Sequence, residues 1–168
     1  MISLGPESEC IINNGEFSHT DTIIYVGGSQ YSNKCKLTIN GGNFNCLNTD
    51  VIKIYTFYPY ENNTNNNKEV ITPQIILNNC NMSAKHTAIG FWGGCTDDEF
   101  KDADTKILTI LGGTYRCSEE SLGDVFEIRT YSDPYTYFNP KDFVLQGGTF
   151  ESLSNSTGAM RLLGPRKR

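Results

Sequence analysis

Four short apolar segments of this chain are entered through a residue with an oxygen-bearing side chain. Asp21 precedes "TIIYV", Asp50 precedes "VIKIY", Thr87 precedes "AIGFW" and Asp124 precedes "VFEIR". His19 and His86 stand just ahead of two of these entrances. Carboxylates held near one another can divide the roles of general acid and general base. An Asp at a turn can equally cap the backbone N–H groups that start a strand. One alternating position within the same segments carries Tyr25, Lys53, Gly90, Glu127 and, in a fifth segment, Arg161. A basic group beside a carboxylate there can abstract a proton, or simply form a solvated ion-pair ladder.

What positions these residues is a repeat. The phrases "LTINGGNFNC", "ILTILGGTYRC" and "FVLQGGTFES" begin at Leu37, Ile107 and Phe143, and degenerate copies begin at Cys10 and Ile75. A fixed internal period must be read before anything else. Aligned on the double turn, the first column is Asn14, Gly41, Asn79, Gly112 and Gly147. These residue types enter left-handed backbone geometry at low cost, so this column is expected to make the bend. The second column, Gly15, Gly42, Cys80, Gly113 and Gly148, tolerates a Cys and is expected to be less strict. Two residues on come Phe17, Phe44, Met82, Tyr115 and Phe150, then His19, Cys46, Ala84, Cys117 and Ser152. Apolar columns also precede the bend, at Ile12, Ile39, Leu77, Ile110 and Leu145 and two residues earlier again. Alternate positions line one face of a strand.

Each unit is thus two short strands joined at a sharp bend, followed by a third. The inward pairs of the third strand are Ile24/Val26, Ile52/Ile54, Ile89/Phe91, Phe126/Ile128 and Met160/Leu162. Nearly all the length variation lies in the segments after it, at 27–36, 56–73, 93–106 and 130–141. The pattern predicts an all-β, three-faced parallel solenoid of about five rungs over residues 1–168, a single domain with long loops at one corner. Like strands stack about 4.8 Å apart, so adjacent rungs bring Asp21 and Asp50 within about 5 Å, and two rungs put Asp50 and Asp124 about 10 Å apart. The latter lies at or just beyond the upper edge of the separation used by inverting glycosidases.

The alignment resembles the single-stranded right-handed parallel β-helices of the pectate-lyase and phage-tailspike type, over almost the whole chain. In that family a short Asn- or Gly-bearing bend joins the second and third strands and long loops follow the first, as here. "NTD" at Asn48–Asp50 is similar to part of the polygalacturonase signature. The resemblance implies that Asp50 is a catalytic carboxylate with Asp124 or Asp21 as partner, His86 nearby, in a hydrolase of acidic glycans. A lyase of the same fold implies Ca²⁺ carboxylates and a basic residue, which Lys53 or Arg161 beside Glu127 would imitate. The family's paired Asp is missing where "KHTAIG" stands, and its Gly-His-Gly and Arg-Ile-Lys elements are absent.

The long-loop corner is rich in aromatics. Tyr31, Tyr58, Tyr60, Trp92, Tyr131, Tyr135 and Tyr137 are candidates for contact with a glycan or a protein partner. The outward positions of the second strand, Ile11, Thr38, Ile76, Thr109 and Val144, hint at a covered face. The acidic loop "TDDEFKDAD" lacks the spacing of an EF-hand, so no cofactor is expected beyond an occasional Ca²⁺ there. No Cys or His pair has zinc spacing, and the six cysteines form no compact framework, so free thiols and no metal site are expected. A net charge of −5 argues against a nucleic-acid partner. No apolar run is long enough to span a membrane, and no signal peptide is visible. Neither end carries an amphipathic capping helix, so assembly through the ends, as a homo-oligomer or with other chains, is expected. Three functions follow. The first is a non-enzymatic structural or attachment module of a virion (fibre, spike or decoration) or cell surface. The others are a polysaccharide lyase or hydrolase, and a glycan-binding domain without catalysis.

Overall fold

The computed structural model describes residues 1–5, 7–27, 35–56, 73–93, 106–129 and 140–163. Among the described residues sixteen strands are joined into three all-parallel sheets. The first rung is β2 (Glu9–Ile12), β3 (Glu16–His19) and β4 (Ile24–Val26), preceded by β1 (Ile2–Leu4). The next rungs are β5 (Lys36–Ile39), β6 (Asn43–Cys46) and β7 (Ile52–Thr56), then β8 (Gln74–Leu77), β9 (Cys80–Ala84) and β10 (Ile89–Gly93). The last two are β11 (Leu108–Ile110), β12 (Gly113–Cys117) and β13 (Phe126–Arg129), and β14 (Phe143–Leu145), β15 (Thr149–Ser152) and β16 (Met160–Leu163). Each strand pairs with its equivalent one rung away. The entry face runs β2-β5-β8-β11-β14, the middle face β3-β6-β9-β12-β15 and the exit face β1-β4-β7-β10-β13-β16. The chain is a three-faced parallel β-helix.

Register follows the inward columns. Phe17, Phe44, Met82, Tyr115 and Phe150 are successive partners on the middle face. Phe17 and Phe44 stack with centroids 4.6 Å apart, and Tyr115 and Phe150 at 4.9 Å. Each such pair adds about 0.5–1.5 kcal/mol beyond area burial. The fully buried Tyr115 hydroxyl donates to the Gly112 carbonyl at 2.9 Å, so its polar tip is satisfied. Burial raises its pKa far above the ordinary tyrosine value. The exit-face pairs from Ile24/Val26 to Phe126/Ile128 are buried. Met160 and Leu162 hold the same inward positions but are 42% and 52% exposed, because no described rung lies beyond them.

The bend departs from the expected geometry. Positive φ falls mainly on the second column, at Gly15 (145°), Gly42 (104°), Gly113 (111°) and Gly148 (112°), with Gly41 of the first column at 157°. In the third rung Asn79 of the first column takes φ 52° instead, which leaves Cys80 to begin β9. The first column is small for another reason, close approach between rungs. A Cβ on Gly112 would lie 2.5 Å from Asn79 Oδ1, and one on Gly147 would lie 2.7 Å from the Leu111 carbonyl oxygen.

Cys10, Cys35, Cys46, Cys80 and Cys117 carry free thiols. On the outer entry face Ile11 and Ile76 are 58% and 40% exposed in the single chain. Among the described residues no helix is long and apolar enough to cross a membrane.

Candidate functional site

The corner between the middle and exit faces gathers most of the ionisable candidates. Pairing of Ile24, Ile52, Ile89, Phe126 and Met160 places Thr22, Asp50, Thr87, Asp124 and Gly158 at equivalent entrance positions. Asp21 stands one residue too early and is exposed. Rung one has four residues between His19 and Ile24 where rung two has five between Cys46 and Ile52, and Ile24 and Val26 stay inside. The buried Thr22 takes the place instead, its hydroxyl 3.3 Å from that of Thr49. His19 is half-buried, and its Nδ1 accepts the Asp21 N–H at 3.0 Å.

Asp50 reaches one rung up. Its Oδ1 accepts the Thr87 backbone N–H at 2.9 Å and lies 2.9 Å from His86 Nδ1. Its Oδ2 is 3.2 Å from Lys53 Nζ, and the side chain is only 2% exposed. Asp124 repeats the arrangement two rungs on. Its Oδ1 accepts the Gly158 N–H at 2.5 Å, and its Oδ2 pairs with Arg161 Nε at 2.5 Å. Each Asp therefore caps the entrance of the following rung, and Thr87 lies between them in the register. Gly123 makes the close packing feasible: a Cβ there would fall 2.3 Å from Thr87 Oγ1 and 2.9 Å from His86 Nδ1. Chemically this is a carboxylate whose lone pairs are taken by an amide, an imidazole and an ammonium. It can orient His86.

Glu127 departs from a solvated ladder. It is 1% exposed, its Oε1 accepts from Arg129 Nε at 2.7 Å, and its Oε2 has no hydrogen-bond partner. Arg129 is held above its usual pKa chiefly by that hydrogen bond.

Sequence reasoning passed over a second feature on the same face. Tyr25, Tyr55 and Trp92 stack in series along the outside of the solenoid, with centroids 5.2 and 5.5 Å apart and planes within 25°. Lys53 Nζ lies 5.6 Å from the Trp92 ring. Gly90 lets the indole lie flat, since a Cβ there would stand 2.1 Å from the ring. Burial, and then the neighbouring Tyr55, push the Tyr25 hydroxyl up, against the lowering effect of Lys53. The available signal was positional: Tyr55 and Trp92 share the outward column two residues beyond Lys53 and Gly90.

Tyr31, Tyr58, Tyr60, Tyr131, Tyr135, Tyr137 and the acidic loop proposed for Ca²⁺ lie outside the described residues. No cluster of metal-ligating side chains occurs among the described residues. Two open hollows of about 430 and 420 Å³ lie on the outer middle face, lined by Asn45, Ser83, Lys85 and Arg116 among others, away from Asp50. Compared with protein-family models, curated proteins and solved structures, the chain matches none.

Proposed function

We propose that the chain is a non-enzymatic structural or attachment module of a virion or cell surface. In this reading it is a right-handed β-helix of the pectate-lyase-like or tailspike-like kind that assembles with itself or with other chains. The observation that carries the reading is the state of Asp50. At 2% exposure, its Oδ1 holds the next rung through Thr87 and His86 and its Oδ2 pairs with Lys53 of its own rung. A carboxylate used that way is scaffold. The test is native mass together with a cleavage assay on acidic polysaccharides. An assembly without cleavage supports the reading; cleavage abolished by Asp50→Asn in a folded variant transfers the case to the lyase or hydrolase.

A second reading, glycan binding without catalysis, is favoured by the Tyr25–Tyr55–Trp92 series with Lys53 at its side. Flat aromatic faces beside a cation suit sugar rings that carry acidic groups. A glycan array followed by titration of Trp92 fluorescence tests it. Binding lost in Trp92→Ala and kept in Asp50→Asn supports the platform; an array without a hit removes it.

A further inference from the structure

The dipeptide Asn-Gly occurs twice, at Asn14–Gly15 and Asn40–Gly41, and the fold places the two differently. Ile39 pairs with Ile12, so Asn40 stacks on Asn13, and Asn14 lies one position further into the bend. Asn40 is tethered to the rung below. Its backbone N–H donates to the Ile12 carbonyl at 2.7 Å, and its Nδ2 donates to Asn13 Oδ1 at 3.0 Å. Asn14 is exposed, and its side-chain oxygen accepts the N–H of Gly15 itself at 2.9 Å. That contact holds a backbone nitrogen against the carboxamide of the preceding residue, with no Cβ on Gly15 to keep the two apart.

We propose that Asn14–Gly15 is a self-modifying position, where the chain converts Asn14 to aspartate and isoaspartate without an enzyme. A buffer base takes the Gly15 N–H proton. The nitrogen attacks Asn14 Cγ, the new N–Cγ bond closes a succinimide, and Nδ2 leaves as ammonia with protons supplied by water. Water then opens the ring at either carbonyl. The net change is one water consumed and one ammonia released, with no oxidant or reductant.

The consequence is local. A new carboxylate appears two residues from Glu16, whose Oε1 already accepts from Asn43 Nδ2. The isoaspartate form adds a backbone carbon to the bend. Ile12 and Phe17 then cannot both keep their columns, and the Phe17–Phe44 stack loosens.

The experiment is timed peptide mapping of the full chain in mildly alkaline buffer made with heavy-oxygen water. The Asn14 peptide gains heavy oxygen as two products, and Asn14 reacts about tenfold faster than Asn40, a barrier difference of ~1.4 kcal/mol. In denaturant the two sites convert at similar rates. Asn13→Ala, which removes the tether, speeds Asn40 alone. Equal rates in the folded chain, or Asn40 reacting ahead of Asn14, would overturn the proposal.

Discussion

Asp50→Ala removes three contacts from one buried corner, and its cost can be worked through. The Thr87 N–H is fully buried and loses its acceptor, which costs about 1–3 kcal/mol. Lys53, with its side chain 26% exposed, can turn toward water, so its pairing adds no more than about 1 kcal/mol. The half-buried His86 loses its contact with the carboxylate but keeps the Thr87 hydroxyl at 3.2 Å. The sum is ~3 kcal/mol, which for a chain of this length lowers Tm by about 6–12 °C. Asp50→Asn retains an acceptor for Thr87 and gives up only the charge, so about 1 kcal/mol and about 2–4 °C are expected. Thermal unfolding followed by far-ultraviolet circular dichroism measures both. If Asp50→Ala melts with the wild type, or if the Asn and Ala variants fall equally, the capping argument is wrong.

Gly113→Ala sets a Cβ 2.1 Å from the Cys80 carbonyl oxygen at φ 111°, so the clash is with backbone and the yield of folded protein should collapse. Gly90→Ala meets only the movable Trp92 ring; the protein should fold, with Trp92 emission shifted and the cost within about 1 kcal/mol. Burial raises Cys35 and Cys117 from 9.0 to about 11. The unfolded chain gives up these protons first, so stability present below pH 9.0 is lost as pH rises toward 11, by about 1.4 kcal/mol per unit for a fully shielded thiol and less here. Urea midpoints across that window should fall in the wild type and fall less in Cys117→Ala. Timed alkylation of the native protein should label the half-buried Cys10 before Cys35, Cys46, Cys80 or Cys117; prompt labelling of Cys80 would contradict its place in the core.

The repeat was legible because a solenoid writes its core into the sequence as columns. Phe44, Tyr115 and Phe150 could be aligned by eye, and each inward position must satisfy the rung above and the rung below. Asp21 shows where alignment by residue type misleads. Matching it to Asp50 would have pulled Ile24 and Val26 out of the core, and burying two aliphatics outweighs aligning one carboxylate. The first turn column meets its expected left-handed backbone at Asn79 but not at Gly112, because Gly serves two needs, left-handed backbone at Gly113 and close approach at Gly112, which composition alone does not separate. The site was less legible. That Asp50 bonds to the next rung depends on register across 37 residues, and the stacking of Tyr55 on Trp92 depends on Gly90 having no side chain.

The interior file of rings is interrupted once. Met82 sits between Phe44 and Tyr115, in the rung that also supplies Ala84, Ala88 and the displaced bend at Asn79. A thioether among small neighbours grips less than a stacked ring and yields more readily. The two stacked couples inside the tube, Phe17–Phe44 and Tyr115–Phe150, are thus separated by one pliant side chain, and the rungs across that gap are tied at the corner by Asp50 and on the outside by Tyr55 against Trp92.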